Sequence, residues 1–141
     1  MRWNSLNWIV TMIGFDTGFF IRLLAGERNI TDIWKEMIES EESSVCSCLT
    51  IFELERLSLR GVIDHDASSI LLEAISVICK IGWLDNKDTL LHASRISHGT
   101  GIPAIDALIL SNLIENGAKI IYSTDKHFDR YKKKGIVIHL V

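Results

Sequence analysis

The chain has 141 residues, of which 48% are hydrophobic and 23% charged, with nine glycines and one proline. These values are ordinary for a folded domain, and they exclude a collagen-like repeat and a wholly disordered chain. The formal net charge of −3 excludes a uniformly basic nucleic-acid-binding surface. We therefore predict one globular domain with a single core.

The N-terminal segment, residues 3–24, is apolar enough to resemble a targeting signal, but it has no cleavage site of the A-x-A type. It also carries Asp16, and an aspartate near the middle of a membrane helix costs a few kcal/mol. We expect no membrane span. We predict a disordered extension over residues 1–11 and one domain over residues 12–141, with Met12 as an alternative start of translation.

Cysteine usage indicates a reducing compartment. The three cysteines, Cys46, Cys48 and Cys79, are odd in number and lack the spacing of zinc ligands. We expect reduced core residues, with Cys46 and Cys48 facing the same side of one strand, and we keep redox or metal roles as the alternative. The expected location is the cytoplasm.

Short β-branched runs alternate with longer stretches of helical periodicity along the chain. The predicted strands are residues 13–15, 45–49, 81–84, 119–122 and 136–140. The predicted helices are residues 31–40, 50–59, 64–78, 85–97 and 103–117, and their expected starts are Thr31-Asp32, Thr50, Asp64 or Asp66, Asp85 with Asp88, and Pro103. This alternation predicts an α/β/α sandwich with a short central parallel sheet.

Four carboxylates fall where such a fold places its functional crevice, beyond the carboxyl ends of the strands. Asp16 and Asp125 follow predicted strands, and Glu53 and Asp106 are expected in the first turns of helices. Each alone is readily explained as a cap or a first-turn acid. Gathered within about 5 Å, however, they repel by roughly 3 kcal/mol per pair at an effective dielectric of 20. Such a cluster requires cations, raised pKa values or solvent.

Hard divalent cations take carboxylate oxygens, water and phosphate oxygens, and they support phosphodiester hydrolysis without a Ser or Cys nucleophile. The sequence contains no motif of α/β-hydrolases, P-loop proteins, dinucleotide-binding proteins or zinc proteases. Residues 126–134 hold five Lys or Arg beside Asp125. This basic segment suits RNA phosphates, but a solvated surface is the alternative interpretation.

Four segments together resemble the PIN-domain family, and in particular the VapC-type toxins of toxin-antitoxin pairs. They are FDTGFFI with Asp16, SCLTIFEL with Glu53, AIDALILS with Asp106, and IIYSTDKHF with Ser123 and Asp125. The resemblance implies a Rossmann-like α/β/α fold, Mg²⁺- or Mn²⁺-dependent endoribonuclease activity, frequent homodimers and a partner antitoxin that covers the acidic site. It also implies that Asp16, Glu53 and Asp106 bind the metal. By the same resemblance, Asp125 is the fourth acid, which either completes the metal shell or holds a water, and the Ser123 hydroxyl lies near the site.

Other positions are assigned supporting roles or none. Thr17 is a weaker match to the family, Glu55 competes with Glu53, and Asp129 is either an added acid or a solvated residue. Trp34 and Trp83 are expected as core or dimer-interface anchors. No histidine is assigned to the mechanism. His127, in the basic segment, is a candidate for contact with RNA phosphates.

Two other classes of function remain open. The first is a non-catalytic PIN-fold module that binds RNA or protein, and the absence of Mg²⁺ or Mn²⁺ binding in calorimetry would favour it. The second is an aspartyl-phosphate phosphatase that uses Asp16 as its nucleophile. This chemistry usually needs a second acid two residues later, whereas position 18 is Gly18.

Overall fold

A single sheet of five strands organises residues 11–141, the part of the chain that the computed structural model describes. In chain order the strands are β1 (Met12–Phe15), β2 (Ser44–Ser47), β3 (Lys80–Gly82), β4 (Ala118–Ser123) and β5 (Val137–Leu140). All neighbours pair in parallel, in the order β3-β2-β1-β4-β5. The predicted parallel sheet is confirmed. The extension expected over residues 1–11 lies outside the described residues except for Thr11, which belongs to no helix or strand.

Within residues 11–141, six α-helices and one 3₁₀ helix surround the sheet. They are α1 (Thr17–Leu24), α2 (Arg28–Glu39), α3 (Cys48–Leu59), α4 (His65–Ile78), α5 (Lys87–Thr100), α6 (Ala104–Glu115) and the 3₁₀ helix Lys126–Arg130. No helix in this part of the chain is long and apolar enough to span a membrane.

The helices cover both faces of the sheet, as alternation along the strands requires. One core cluster joins α1 to α4 to one face, with Phe15, Phe19, Trp34, Leu54 and Ile75 among its buried members. The second joins α5 and α6 to the other face, with Val45, Ile96, Leu110, Leu113 and Ile121 among its members. The predicted α/β/α sandwich is therefore confirmed.

The order of the strands fixes where a functional crevice opens. The chain runs from the central β1 outward to β2 and β3, and it then returns to β4 and β5 on the other side. Such a switch in direction leaves a crevice at the carboxyl ends of the two strands that flank it. Here these strands are β1 and β4, in which Phe15 pairs with Tyr122. The Asp16 amide continues the pairing by donating to the Tyr122 carbonyl oxygen at 3.2 Å.

The junction between β2 and α3 differs from the prediction. The strand ends at Ser47 rather than Leu49 because the Ser47 hydroxyl accepts a hydrogen bond from the Leu49 amide at 3.2 Å and so caps the helix. The expectation that Cys46 and Cys48 face the same side of one strand is therefore wrong, since Cys48 is the first residue of α3. All three cysteines are free thiols, and Cys46 is buried in the core.

Three other predicted helix starts are displaced. Helix α2 begins at Arg28, before the expected Thr31-Asp32 cap, since Ile30 packs into the core. Helix α5 is capped by Asn86, whose side-chain oxygen accepts from the Thr89 amide at 3.0 Å, rather than by the expected aspartates. Pro103 is the N-cap of α6 instead of a residue of its first turn.

One helix was not predicted, and one expected anchor is not a core residue. Helix α1 was missed because it has only eight residues and follows β1 after a single residue, so no turn signal separates it from the strand. Of the two tryptophans expected as anchors, Trp34 lies in the core, while Trp83 has 59% of its surface exposed and is not a core residue.

Candidate active site

Asp16 is a buried carboxylate held by three hydrogen bonds. It is the N-cap of α1, and its Oδ1 accepts from the Phe19 amide at 2.8 Å. Its Oδ2 accepts from the Ser123 hydroxyl at 2.6 Å and from the Thr124 amide at 3.1 Å. With only 4% of its surface exposed, burial raises the pKa of Asp16, although the three hydrogen bonds lower it. The residue that follows β1 thus presents a carboxylate of fixed orientation.

All four predicted acids line one cleft of about 270 Å³ beyond the carboxyl ends of β1 and β4. Asp16 leads out of β1, Glu53 projects from α3, Asp106 from the first turn of α6, and Asp125 caps the 3₁₀ helix. Ser123 lies behind Asp16 and is fully buried. Glu53 belongs to the second turn of its helix rather than the first, since α3 begins at Cys48.

Threonine hydroxyls orient the Glu53 side chain. The Thr17 hydroxyl donates to Glu53 Oε1, and it is 2.9 Å from the Thr50 hydroxyl. Thr17 and Thr50 are both buried, whereas Glu55 faces solvent. The choice of Glu53 over Glu55 as the residue in the cleft agrees with this arrangement.

Asp106 lies in the least compensated position of the four acids. Partial burial raises its pKa to about 6, with the neighbouring carboxylates of Asp125 and Glu53 acting in the same direction, while His127 lowers it. Asp125 itself accepts from the His127 amide at 2.9 Å, and His127 Nδ1 is also 2.9 Å from Asp125 Oδ1. Asp106, Asp125 and Glu53 thus place negative charge together in the cleft, which a bound cation would neutralise.

The donor set fits a hard divalent cation. Four carboxylates converge on an open cleft, and Asp106, Asp125 and His127 each offer a ligand atom within 4.8 Å of the others. Carboxylate oxygens with room for water are the ligands that Mg²⁺ and Mn²⁺ take in proteins. The arrangement can therefore hold a cation and place a phosphate oxygen on its open side.

Two residues of the site were missed by sequence reasoning. Arg56 lines the cleft one turn after Glu53, and that i, i+3 spacing on one helix was a usable signal. His127 was set aside as a lone histidine, although it follows Asp125 by two residues. Asp129, interpreted as a solvated residue with an added acid as the alternative, lies 3.2 Å from the Lys132 ammonium on the exposed surface.

Known proteins share this architecture. The family model of the PIN domain matches residues 13–134, whereas no curated protein matches the chain. VapBC2 from Rickettsia felis bound to a promoter DNA fragment matches with a TM-score of 0.73 and 14% identity, over 93% of this chain and 99% of that chain. DNA-bound VapBC from Salmonella typhimurium matches with a TM-score of 0.70 and 14% identity, over 93% and 98%.

A toxin-antitoxin complex from Klebsiella pneumoniae matches with a TM-score of 0.67 and 19% identity, over 89% of this chain and 95% of that chain. At such identities these likenesses show the shared fold. The family model, in contrast, spans most of the sequence and both ends of the acidic cleft, from the strand before Asp16 to the helix after Asp125. The chain therefore belongs to the PIN-domain family.

Proposed function

We propose that this protein is a Mg²⁺- or Mn²⁺-dependent endoribonuclease and the toxin of a toxin-antitoxin pair. The observation that carries the proposal is the convergence of four carboxylates, Asp16, Glu53, Asp106 and Asp125, on one cleft at the switch point of a PIN-domain sheet. Carboxylates that converge in a crevice repel one another, and a bound cation would remove that cost.

The four acids would hold the metal, and neighbouring hydroxyls fix the orientation of two of them. Ser123 positions Asp16, and Thr17 positions Glu53, through the hydrogen bonds already described. When bound, Mg²⁺ or Mn²⁺ lowers the pKa of a coordinated water and neutralises charge on the phosphate oxygens. Asp16 is poorly suited to act as a nucleophile because both of its oxygens accept hydrogen bonds in a buried site, which argues against the phosphatase alternative.

Cationic groups beside the cleft suit an RNA substrate. Arg56 lines the cleft itself, and the basic segment Lys126–Lys134 begins directly after Asp125. Guanidinium and ammonium groups bind phosphates and compensate the repulsion between RNA and the acids. These contacts follow the backbone and carry no base specificity, so they support binding of RNA as a class.

The toxin assignment rests on the kinds of complex in which the same fold is found. The similar structures from Rickettsia felis and Salmonella typhimurium are VapBC assemblies, and the one from Klebsiella pneumoniae is a toxin-antitoxin complex. We infer by analogy that an antitoxin partners this chain and covers the acidic cleft. We also expect a homodimer, which light scattering would detect as a doubling of the 15.9 kDa chain mass.

Substitution of Asp106 by asparagine tests the proposed activity. Asp106→Asn keeps the size of the side chain but removes one metal-binding charge, so Mg²⁺-dependent cleavage of a structured RNA should fall at least about a hundredfold. Asp129→Asn is the matched control, because it removes an equal charge from an exposed residue outside the cleft, and it should cleave normally.

Undiminished cleavage by purified Asp106→Asn protein would refute the four-acid mechanism. Calorimetry gives a separate test of the same site. If neither Mg²⁺ nor Mn²⁺ binds to the intact protein, a non-catalytic RNA- or protein-binding module becomes the better account.

A further inference from the structure

The imidazole of His127 is oriented by a carboxylate of the acidic cleft. His127 lies in the 3₁₀ helix that Asp125 caps, and both its backbone amide and its Nδ1 are 2.9 Å from Asp125 Oδ1. The side chain keeps 45% of its surface exposed. The ring therefore contacts the Asp125 carboxylate through Nδ1 and keeps part of its surface in solvent.

The 2.9 Å approach of Nδ1 to Asp125 Oδ1 identifies the ring nitrogen that lies beside the carboxylates. When the neutral ring carries its proton on Nε2, Nδ1 presents a lone pair there. A histidine that binds a metal is neutral, so the cation replaces the proton that Nδ1 otherwise shares with Asp125. Nδ1 and Asp125 are thus placed to bind one cation together.

The spacing of the three groups agrees with a shared cation. A ligand atom of His127 lies within 4.8 Å of oxygens of Asp106 and Asp125. In an octahedral site with bonds of about 2.1 Å, ligand atoms are roughly 3 Å apart when adjacent and about 4.2 Å apart when opposite. Small side-chain rotations would bring the three atoms to those separations.

We propose that His127 supplies a nitrogen ligand to the divalent cation of the acidic cleft, and that the site consequently prefers Mn²⁺ to Mg²⁺. The inference rests on the proposed function and specifies the metal of that same site. Imidazole is a good ligand for first-row transition metals, whereas Mg²⁺ is bound through oxygens and retains much of its water. A ligand set of carboxylates and one imidazole therefore discriminates between the two ions.

Pulsed electron paramagnetic resonance of the Mn²⁺-loaded protein measures this bond directly. A directly bound imidazole modulates the electron spin echo through its ¹⁴N nucleus. The unsubstituted protein should show this modulation, and labelling histidine alone with ¹⁵N should change its frequencies. His127→Gln should lose the modulation, while His98→Gln, a control at an exposed histidine of α5, should keep it.

Competition titrations give the second readout. His127→Gln should raise the Kd for Mn²⁺ at least about tenfold and leave the Kd for Mg²⁺ within about threefold of its original value. Circular dichroism would verify that the variant is folded, and the ¹⁵N-labelled unsubstituted protein gives a result that depends on no variant.

The possible outcomes separate this inference from the proposed nuclease. Mn²⁺ binding without nitrogen modulation, or with modulation that survives in His127→Gln, would overturn the role of His127 and leave the four-acid nuclease standing. Failure of the protein to bind either Mn²⁺ or Mg²⁺ would overturn both proposals.

Discussion

The carboxylates of the candidate site are compensated unequally, and this inequality has consequences for single residues. Asp16 accepts three hydrogen bonds from donors fixed by the fold. Burial, reinforced by two neighbouring carboxylates, instead raises the pKa of Asp106 to about 6. In the absence of metal, the folded protein therefore disfavours the ionised form of Asp106.

This raised pKa predicts how the stability of the metal-free protein depends on pH. Between the ordinary value of 3.8 and about 6, the folded state binds more protons at Asp106 than the unfolded state does, so its contribution to stability falls as pH rises through that window. Asp106→Asn removes the effect. The variant should therefore gain stability over the unsubstituted protein at pH 7 in EDTA, and the gain should shrink by pH 4.5.

Urea unfolding at the two pH values measures this difference, and Asp129→Asn serves as the control because its carboxylate lies on the surface beside Lys132. The difference in stability between Asp129→Asn and the unsubstituted protein should change little between the two pH values, since exposed ion pairs contribute little. An equal pH dependence of Asp106→Asn and the unsubstituted protein would show that Asp106 does not have a raised pKa.

Only some residues of the candidate site could be predicted from the sequence. Asp16 and Asp125 were found because strand ends are recognisable and the crevice position follows from the fold. Arg56 and His127 were missed because their importance depends on distances to other residues, which no local pattern encodes. Glu53 was assigned to the cleft, but to the wrong turn of its helix, since the capping role of Ser47 was not anticipated.

At the scale of secondary-structure elements, the side chain of Asn112 joins α6 to two strands. Its amide donates to the Ser47 hydroxyl at 2.7 Å and to the Gly82 carbonyl oxygen at 2.8 Å, and the residue is fully buried. A Cβ added to Gly82 would lie 2.8 Å from Asn112 Oδ1, so glycine permits the close approach. Because Ser47 also caps α3, this bridge supports the helix that carries Glu53.

Loss of this bridge should destabilise the protein. Asn112→Ala leaves the Ser47 hydroxyl and the Gly82 carbonyl without their buried donor, so the free energy of unfolding should fall by about 2 kcal/mol or more. Asn29→Ala is the matched control, because Asn29 is an exposed residue of α2, and it should change stability by at most about 0.5 kcal/mol. Equal unfolding midpoints and urea slopes for the two variants would contradict a structural role of Asn112.

The boundaries of helices and strands were less predictable than their types, because helix caps depend on contacts in the folded chain. Local periodicity indicated five of the six α-helices and all five strands in the part of the chain that the structure describes. The start of α5 was misplaced because several polar residues precede it, and only the folded backbone determines that Asn86 reaches the Thr89 amide. Helix α1 was missed because eight residues are too few to show a clear helical period, and no turn signal separates the helix from β1.

Over the whole molecule, the strand order brings together residues of the candidate site that are far apart in the sequence. Asp16 and Ser123 are separated by 107 positions, yet their side chains are hydrogen-bonded at 2.6 Å. The alternating pattern of strands and helices predicted the layers correctly, because each layer follows from local apolar periodicity. The strand order itself depends on long-range packing, so the sequence alone supported only the general rule for where the crevice lies.

Because the site exists only in the folded chain, metal binding should stabilise the whole domain. A cation at a hundredfold excess over its Kd adds about 2.7 kcal/mol, which for a chain of this size corresponds to an increase in Tm of roughly 6–10 °C. Thermal unfolding with Mn²⁺ should show this increase, EDTA should reverse it, and matched sodium chloride should not reproduce it. Asp129→Asn should retain the increase and Asp106→Asn should lose most of it, whereas an equal increase in both variants would place the bound cation outside the acidic cleft.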